Sequence, residues 1–332
     1  MQNHERGSVV TQRSEDCPDL SIVIPVYYDQ GALKTLVESI KKKVLAQHPD
    51  LSCEIVFVDD GSGDGSLDEL LEIRDENPAL VKVIKLTRNF GQPYARLAGL
   101  FYARGKCVVS MSADGQNPPE LINDLLHAHF EENYQIVICA RSGRDETWFR
   151  IVTSWFFYML MRKLSFSNMP KGGFDFVLLG RKALDIILRN QDAHPFFQGQ
   201  ILWTGFRSKT IEYHRLERKV GKSRWTLGKR ITLLIDGVLG YSFAPIRIIS
   251  LFGMATTVAG FMIAILILVR RLILGTSAAG WSTLIVTILI MGGIQTLMLG
   301  VIGEYLWRTL AQSRNRELYI VECIYDSTDP ES

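Results

Sequence analysis

The chain has 332 residues, of which 47% are hydrophobic and 22% charged, and its formal net charge is +2. That length supports one full domain with additional segments, and the small net charge gives no argument for nucleic acid as a partner. The five cysteines are scattered and lack CxxC spacing, so neither a disulfide framework nor a zinc site is indicated.

The N-terminal segment 1–19 is polar and has no apolar run behind a basic start. A cleaved signal peptide is therefore not expected, and the domain that follows should stay in the cytosol.

Four short apolar runs rich in β-branched residues follow, at 20–28, 54–62, 81–89 and 106–114. Helical patterns separate them: GALKTLVESIKKKVLA, SLDELLEIRDE and PYARLAGLFYARG. This alternation predicts an α/β domain with an open, mostly parallel sheet and helices on both faces. Ligands in such sheets bind at the carboxyl ends of the strands.

Carboxylates follow three of these runs: Asp29 after the first, Asp59 and Asp60 after the second, and Asp114 after the fourth. Each of them alone is equally typical of a plain turn after a strand. Together they predict a functional site at the carboxyl edge of the sheet.

Two later stretches predict helices that lie in a membrane interface. Segment 148–164 is too short and too charged at its ends to span, yet is rich in Trp and Phe. For this stretch an ordinary core face remains the alternative. Segment 226–245 places its apolar residues on one helical face and Lys229, Arg230 and Asp236 elsewhere.

Segments 248–269 and 281–303 carry no charge. At ~1.5 Å per residue each covers a hydrocarbon core of ~30 Å, so residues 246–307 predict a two-helix transmembrane hairpin. Basic residues before the first span and after the second place both termini, including the tail 308–332, in the cytosol. Two buried core helices are the alternative.

The motifs VIPVYYDQ, VDDGSGDGS, RNFGQ and SADGQNPPE resemble, in this order and spacing, glycosyltransferase family 2. The resemblance is to the branch of dolichol-phosphate mannose synthase and bacterial undecaprenyl-phosphate glycosyltransferases, and it covers nearly the whole chain. It implies a GT-A fold for residues 20–225 and a homo-oligomer, a tetramer in the family.

The implied reaction moves one sugar, with inversion, from a nucleoside diphosphate to a polyprenyl phosphate such as undecaprenyl phosphate. It takes place on the cytosolic face of the cytoplasmic membrane and serves cell-envelope glycan modification. UDP is the expected nucleoside and GDP the alternative, and the sequence does not identify the sugar. A flippase is disfavoured because two spans provide little room for a pathway.

The resemblance assigns the nucleotide sugar to a set of residues that follow the strands. They are Pro25, Tyr27, Asp29, Asp60, Arg88, Gly91 and Ser112. Asp60 would accept a hydrogen bond from the base. The usual YNE reads YYD here, with Tyr28 in place of Asn, and the shorter carboxylate of Asp29 must sit closer to what it binds.

The stretch SADG departs from the family because Ser112 occupies the position of an aspartate. Mg²⁺ needs only one or two protein carboxylates beside substrate phosphates. Asp114 and the amide oxygen of Gln116 could therefore hold Mg²⁺ or Mn²⁺ with two phosphate oxygens. We expect an active site with weaker metal affinity, and a catalytically weak scaffold or regulator with the same fold is the alternative.

Segment 171–185, KGGFDFVLLGRKALD, resembles the family segment in which an aspartate precedes an arginine by six residues, here Asp175 and Arg181. With Asp114 these are the expected catalytic residues. A plain strand with a polar start is the alternative for this segment.

Basic residues near the membrane are candidates for binding the lipid phosphate, because Arg holds phosphate through two parallel hydrogen bonds. Arg218, Lys222, Ser223 and Arg224 resemble a family loop that closes over the site. Arg247 is a candidate contact or simply a positive-inside anchor. The SRW stretch has Gly221 where processive polysaccharide synthases have Gln, which favours a single transfer.

Overall fold

The computed structural model describes residues 17–141, 158–159, 161–163, 165–166, 168–170, 173–190, 192–214, 236–274, 280–314 and 316–326. The chain divides into two compact units. The first, here the catalytic unit, comprises Met1–Arg230 and Glu317–Ser332, and the second, the helical unit, comprises Ile231–Arg316.

The catalytic unit contains an eight-stranded sheet in the order β7-β5-β6-β4-β1-β2-β3-β8. The strands are β1 (Leu20–Val26), β2 (Cys53–Asp59), β3 (Val81–Leu86), β4 (Cys107–Ser110), β5 (Ile136–Arg141), β6 (Phe176–Gly180), β7 (Ser208–Tyr213) and β8 (Val321–Tyr325). Its helices are α1 (Leu33–Lys43), α2 (Ser66–Glu76), α3 (Gln92–Tyr102), α4 (Leu121–Phe130), α5 (Arg181–Arg189) and α6 (Phe197–Trp203), with a 3₁₀ turn at Leu45–Gln47.

Strands β1 to β4 run parallel, with Leu20 opposite both Cys53 and Cys107. Every residue of β1 is buried, as expected for a parallel strand covered on both faces. Helix α3 approaches so closely that a Cβ on Gly99 would lie 2.4 Å from a methyl carbon of Val23. The predicted mostly parallel α/β sheet is confirmed.

Strand β6 is antiparallel to both of its neighbours, β4 and β5. Its start, directly after Asp175, therefore lies at the edge where β4 ends. Its last residue, Gly180, lies opposite Cys107 at the beginning of β4. This reversal decides which of the predicted site residues can meet.

The last strand, β8, pairs antiparallel with β3. Lys82 of β3 and Asp326 form a nearly buried ion pair of 2.8 Å, and Lys85 pairs with Glu322 at 2.8 Å nearer to solvent. Segment 308–332, described from the sequence as a tail, thus contains a strand of the catalytic sheet.

The helical unit contains α7 (Ala244–Leu274) and α8 (Trp281–Ser313), preceded by a helical turn at 236–241. Arg308 of α8 forms ion pairs with Asp236 at 2.8 Å and Glu304 at 3.0 Å. Arg308 is one of the basic residues that follow the second apolar segment, and these two carboxylates offset its charge. The pairs attach the turn to the end of α8.

One helical segment in the described part of the chain, Ala244–Ile263, is long and apolar enough to cross a membrane, with a mean hydropathy of 1.8. The two-helix hairpin is therefore supported for one helix, and a second span in α8 stays a prediction. Residues 226–235 and most of 148–164 lie outside the described residues, so neither interfacial helix is tested.

Candidate active site

The ends of the parallel strands bring several predicted site residues to one edge of the sheet. Val26, the last residue of β1, lies opposite Asp59, the last of β2, and β4 ends beside β1 at Ser110. Because these strands point the same way, the segments that follow them share the carboxyl edge. Tyr27, Asp29 and Asp60 follow directly there, and so does the loop of Asp114.

Asp60 fixes the loop between β3 and α3. Its buried carboxylate accepts the backbone N–H groups of Phe90 at 2.7 Å and Gly91 at 2.9 Å. Gly61 has a φ of +69°, and a Cβ there would lie 2.6 Å from the carbonyl carbon of Arg88. Asp60 thus positions the loop that carries Arg88 and Gly91, and its contact with a base stays a prediction.

The turn after β1 is held by short polar contacts. The Asp29 carboxylate accepts the N–H of Tyr27 at 3.2 Å, and the N–H of Asp29 donates to Ser66 Oγ at 3.0 Å. Tyr28 has a φ of +59°, in the left-handed region that Asn enters more readily than Tyr. The YYD turn therefore places Tyr28 in a backbone conformation better suited to the family's Asn.

Two hydrogen bonds hold the start of the QNPPE loop, which follows β4, in place. Asp114 is 5% exposed, and its carboxylate accepts the N–H of Gln116 at 3.2 Å. The buried Asn117 accepts a hydrogen bond from the hydroxyl of Tyr213 at 3.1 Å. The last residue of β7 thereby fixes the loop that presents Asp114 and Gln116.

Asp175 reaches the same edge from the start of β6 and forms an ion pair with Arg141, the last residue of β5. Burial alone would lower the pKa of Arg141, but the Asp175 carboxylate, with the phenolic groups of Tyr213 and Tyr158, raises that pKa above its ordinary value. A charged guanidinium is therefore held beside Asp175. The sequence did not single out Arg141.

Residues 21–187 match the family model described as Glycosyl transferase family 2. The chain belongs to glycosyltransferase family 2. The family assignment made from the four motifs is confirmed, and those motifs are the segments that build the carboxyl edge.

Curated relatives extend the match beyond the catalytic unit. The glycosyltransferase YkcC of Bacillus subtilis is 36% identical over 92% of this chain and 94% of its own. The undecaprenyl-phosphate 4-deoxy-4-formamido-L-arabinose transferase of Serratia proteamaculans is 32% identical over 93% and 95%. The prophage bactoprenol glucosyl transferase homolog of Escherichia coli is 30% identical over 91% and 98%. These names confirm the resemblance to the polyprenyl-phosphate branch of the family.

The oxygen groups at this family 2 site suit a hard divalent cation. Asp114 and Gln116 lie on one turn, with the partly buried Ser112 just before them. In the described part of the chain, no three His, Cys, Asp or Glu residues are grouped so that they could hold a metal. One carboxylate, one amide and two diphosphate oxygens do not need such a group. The residues present therefore fit Mg²⁺ or Mn²⁺ bound together with a donor.

Arg181, predicted as catalytic, is not brought to this edge. It follows Gly180, which lies opposite the beginning of β4. Its guanidinium donates to Asp185 at 2.8 Å and to the carbonyl oxygen of Ala103 at 3.0 Å. Because β6 runs antiparallel, six residues carry the chain from the site to the opposite edge of the sheet. Arg181 therefore connects the start of α5 to the end of α3 and does not lie with Asp175 at the carboxyl edge.

The structure does not test the residues predicted to bind the lipid phosphate. Arg218, Lys222, Ser223 and Arg224 lie outside the described residues. Arg247 is exposed in the first turn of α7, within the helical unit. Their roles stay predictions.

Proposed function

We propose that this protein transfers one sugar from a nucleoside-diphosphate sugar to a polyprenyl phosphate, with inversion at the anomeric carbon. UDP is the proposed nucleoside and undecaprenyl phosphate the proposed acceptor. The reaction is proposed to occur at the cytosolic face of the cytoplasmic membrane. There the α7–α8 hairpin anchors a homo-oligomer, and the product serves cell-envelope glycan modification.

The observation that carries this proposal is the placement of Asp114 and the Asp175–Arg141 pair at one edge of a family 2 sheet. The relatives named for bactoprenol and for undecaprenyl phosphate each match over 90% or more of both chains, so they support the same class of acceptor for this one. The apolar segment Ala244–Ile263 supports a membrane-bound substrate.

The reaction breaks the bond between the anomeric carbon and the diphosphate oxygen and forms a bond from that carbon to an acceptor phosphate oxygen. The nucleoside diphosphate leaves with the bonding electron pair. An acceptor phosphomonoester has its second pKa near ~6, so at neutral pH it is largely a dianion and needs no base to become a nucleophile. The site must therefore orient it, and Arg141, held in place by Asp175, offers a fixed positive charge for that purpose.

Asp114 and Gln116 would hold the divalent cation, which when bound neutralises charge on the leaving diphosphate. Asp60 keeps the Arg88–Gly91 loop in place beside the nucleotide. Ser112 supplies a hydroxyl where a second carboxylate is usual in the family, so fewer negatively charged protein groups would bind the metal.

The test is product formation by the purified full-length protein with undecaprenyl phosphate, Mg²⁺ or Mn²⁺ and a panel of UDP- and GDP-sugars. We expect one donor to give a lipid-linked monosaccharide that resists further extension. Release of free sugar alone, or extension to a polymer, would contradict the proposed acceptor or the single transfer.

The metal assignment makes a paired prediction. Asp114→Ala should reduce turnover by at least about 100-fold because it removes the one carboxylate of the cation site. Ser112→Asp should lower the metal concentration for half-maximal activity several-fold, since it restores a charge. Metal titrations of both variants measure this, with Asp124→Ala on α4 as a control. Full activity of Asp114→Ala would overturn the assignment.

The substitution at Ser112 also favours a second candidate, a catalytically weak scaffold or regulator that keeps the fold. The two functions differ in one measurement. A scaffold would form no glycolipid even when Ser112→Asp restores the second carboxylate, whereas the enzyme is active before the substitution and needs less metal after it.

A further inference from the structure

Arg96 of α3 is buried in an unusual state. Its side chain is 5% exposed, and its guanidinium carbon lies 4.4 Å from the centre of the Phe197 ring on α6. Two of its nitrogens, Nε and Nη2, are fully buried and have no hydrogen-bond partner in the structure. A buried donor without a partner is costly in free energy, so such groups commonly mark a place where a ligand binds.

Two glutamines of α6 share this condition. Gln200 is 4% exposed, and within the part of the chain that the structure describes neither its amide oxygen nor its amide nitrogen has a hydrogen-bond partner. Gln198 donates to the carbonyl oxygen of Phe174, next to Asp175, while its own amide oxygen is buried without a partner. Gln200 follows Phe197 by three residues, so it lies on the helical face that meets Arg96.

Arg96 also interacts electrostatically with Asp175. Burial lowers the pKa of Arg96 to about 10, while the Asp175 carboxylate opposes that decrease, so the guanidinium stays charged at neutral pH. That same carboxylate already forms the ion pair with Arg141. Two guanidinium groups thus interact with the one carboxylate of Asp175.

The chemistry of the unpartnered atoms distinguishes between possible ligands. Arg96 offers only donors, Gln198 offers an acceptor, and Gln200 offers both. A phosphate oxygen accepts hydrogen bonds and would leave the amide oxygens unpaired. Sugar hydroxyl groups donate and accept at once, so they match the whole set.

We propose that Arg96, Gln198 and Gln200, beside Asp175, form the subsite that binds the hydroxyl groups of the transferred sugar and selects which sugar is used. This rests on the proposed function. The subsite lies where α3 and α6 meet at the carboxyl edge. It deepens the proposal because it names residues that discriminate between donors sharing one nucleotide.

The experiment uses the full-length protein and its Arg96→Leu and Gln200→Leu variants. Binding of UDP-glucose, UDP-galactose, UDP-N-acetylglucosamine and GDP-mannose is measured by calorimetry, each against its bare nucleoside diphosphate. We expect each variant to weaken the preferred nucleotide sugar by about 10- to 100-fold and to change the preference among sugars. Binding of the bare nucleotide should change by less than about twofold. Arg74→Leu, which removes a guanidinium 5.8 Å from the Tyr325 ring, is the matched control.

Thermal stability separates this role from a structural one. Leucine in place of a buried, unpartnered polar group should leave the midpoint of unfolding unchanged or raise it, whereas loss of a structural contact would lower it. If Arg96→Leu does not fold, Gln200→Leu carries the test. Unchanged ratios of nucleotide-sugar to nucleotide affinity in Gln200→Leu would overturn the inference.

The experiment also distinguishes failure of the sugar subsite from failure of the proposed reaction. Changed sugar preference without any glycolipid product would retain the sugar subsite and reject the polyprenyl-phosphate acceptor. Glycolipid formation with unchanged sugar preference in both variants would retain the reaction and reject the subsite.

Discussion

The ion-pair partner of Asp175 is far from it in sequence. Arg141 ends β5, and the antiparallel pairing of β5 with β6 brings it to Asp175. The sequence identified Asp175 through its motif but could not identify Arg141, because no local pattern encodes the pairing of two strands separated by 34 positions. The one available signal was that IVICAR, like β2 and β4, is an apolar run that ends in a polar residue.

Arg96 was missed for a different reason. A charged residue in a helix is usually solvated, and an analysis of sequence periodicity therefore assigns it to the exposed face. Here α3 is buried on nearly all sides, with Ala95, Leu97, Ala98 and Leu100 inaccessible. The available signal was that Arg96 lies within the mostly apolar run YARLAGLFY, which indicates a buried rather than a solvated arginine.

Asp175→Asn should reduce turnover on the order of 100-fold, because Arg141 loses the carboxylate that orients it. The acid limb of the pH profile should stay where the acceptor phosphate ionises, since Asp175 is not needed to remove a proton. Asp185→Asn, which breaks the Arg181 ion pair at the opposite edge, is the matched control. If the acid limb vanishes in Asp175→Asn while both substrates still bind, Asp175 is a general base.

Among the elements, the starts of β1 to β4 were predicted to within about one residue because short apolar runs are a local signal, whereas their ends were placed about two to four residues too late. Segment 171–185 contains the strand β6, and the catalytic role of Asp175, directly before it, stays a prediction. Strands β5, β7 and β8 lie at or near the sheet edges. Their pairing depends on tertiary context that periodicity does not carry.

The attachment of β8 can be tested through its nearly buried ion pair. Asp326→Ala leaves Lys82, 8% exposed, without its 2.8 Å carboxylate, and should lower the free energy of unfolding by about 3 to 5 kcal/mol. Glu322→Ala breaks the more exposed Lys85 pair and should lower the free energy of unfolding much less, because solvent screens that pair. Urea unfolding of the catalytic unit measures both. Equal effects of the two substitutions would show that burial does not matter here.

For the whole molecule, both motifs and hydropathy pointed to a catalytic domain joined to membrane helices. The structure has two compact units, and its described part contains one segment that is long and apolar enough to cross a membrane. Topology cannot follow from composition alone, since apolar helices of similar length also occur in protein cores.

The hairpin prediction is tested by placing one cysteine at Ala278 in a protein whose five native cysteines have been replaced. A membrane-impermeant thiol reagent should label it only from the periplasmic side of right-side-out vesicles. A cysteine introduced at Asp50, an exposed position of the catalytic unit, should react only in inverted vesicles. Labelling at position 278 from the cytosolic side would contradict the hairpin.

The pairing of β8 with β3 restricts how many times the chain can cross a membrane. Chain segments on either side of the helical unit belong to a single hydrogen-bonded sheet, so both lie on the same side of any bilayer. A path that leaves and returns to one side crosses an even number of times. If Ala244–Ile263 crosses once, a second crossing must lie elsewhere between Tyr213 and Val321, and α8, at 33 residues and ~1.5 Å per residue, is long enough to make it.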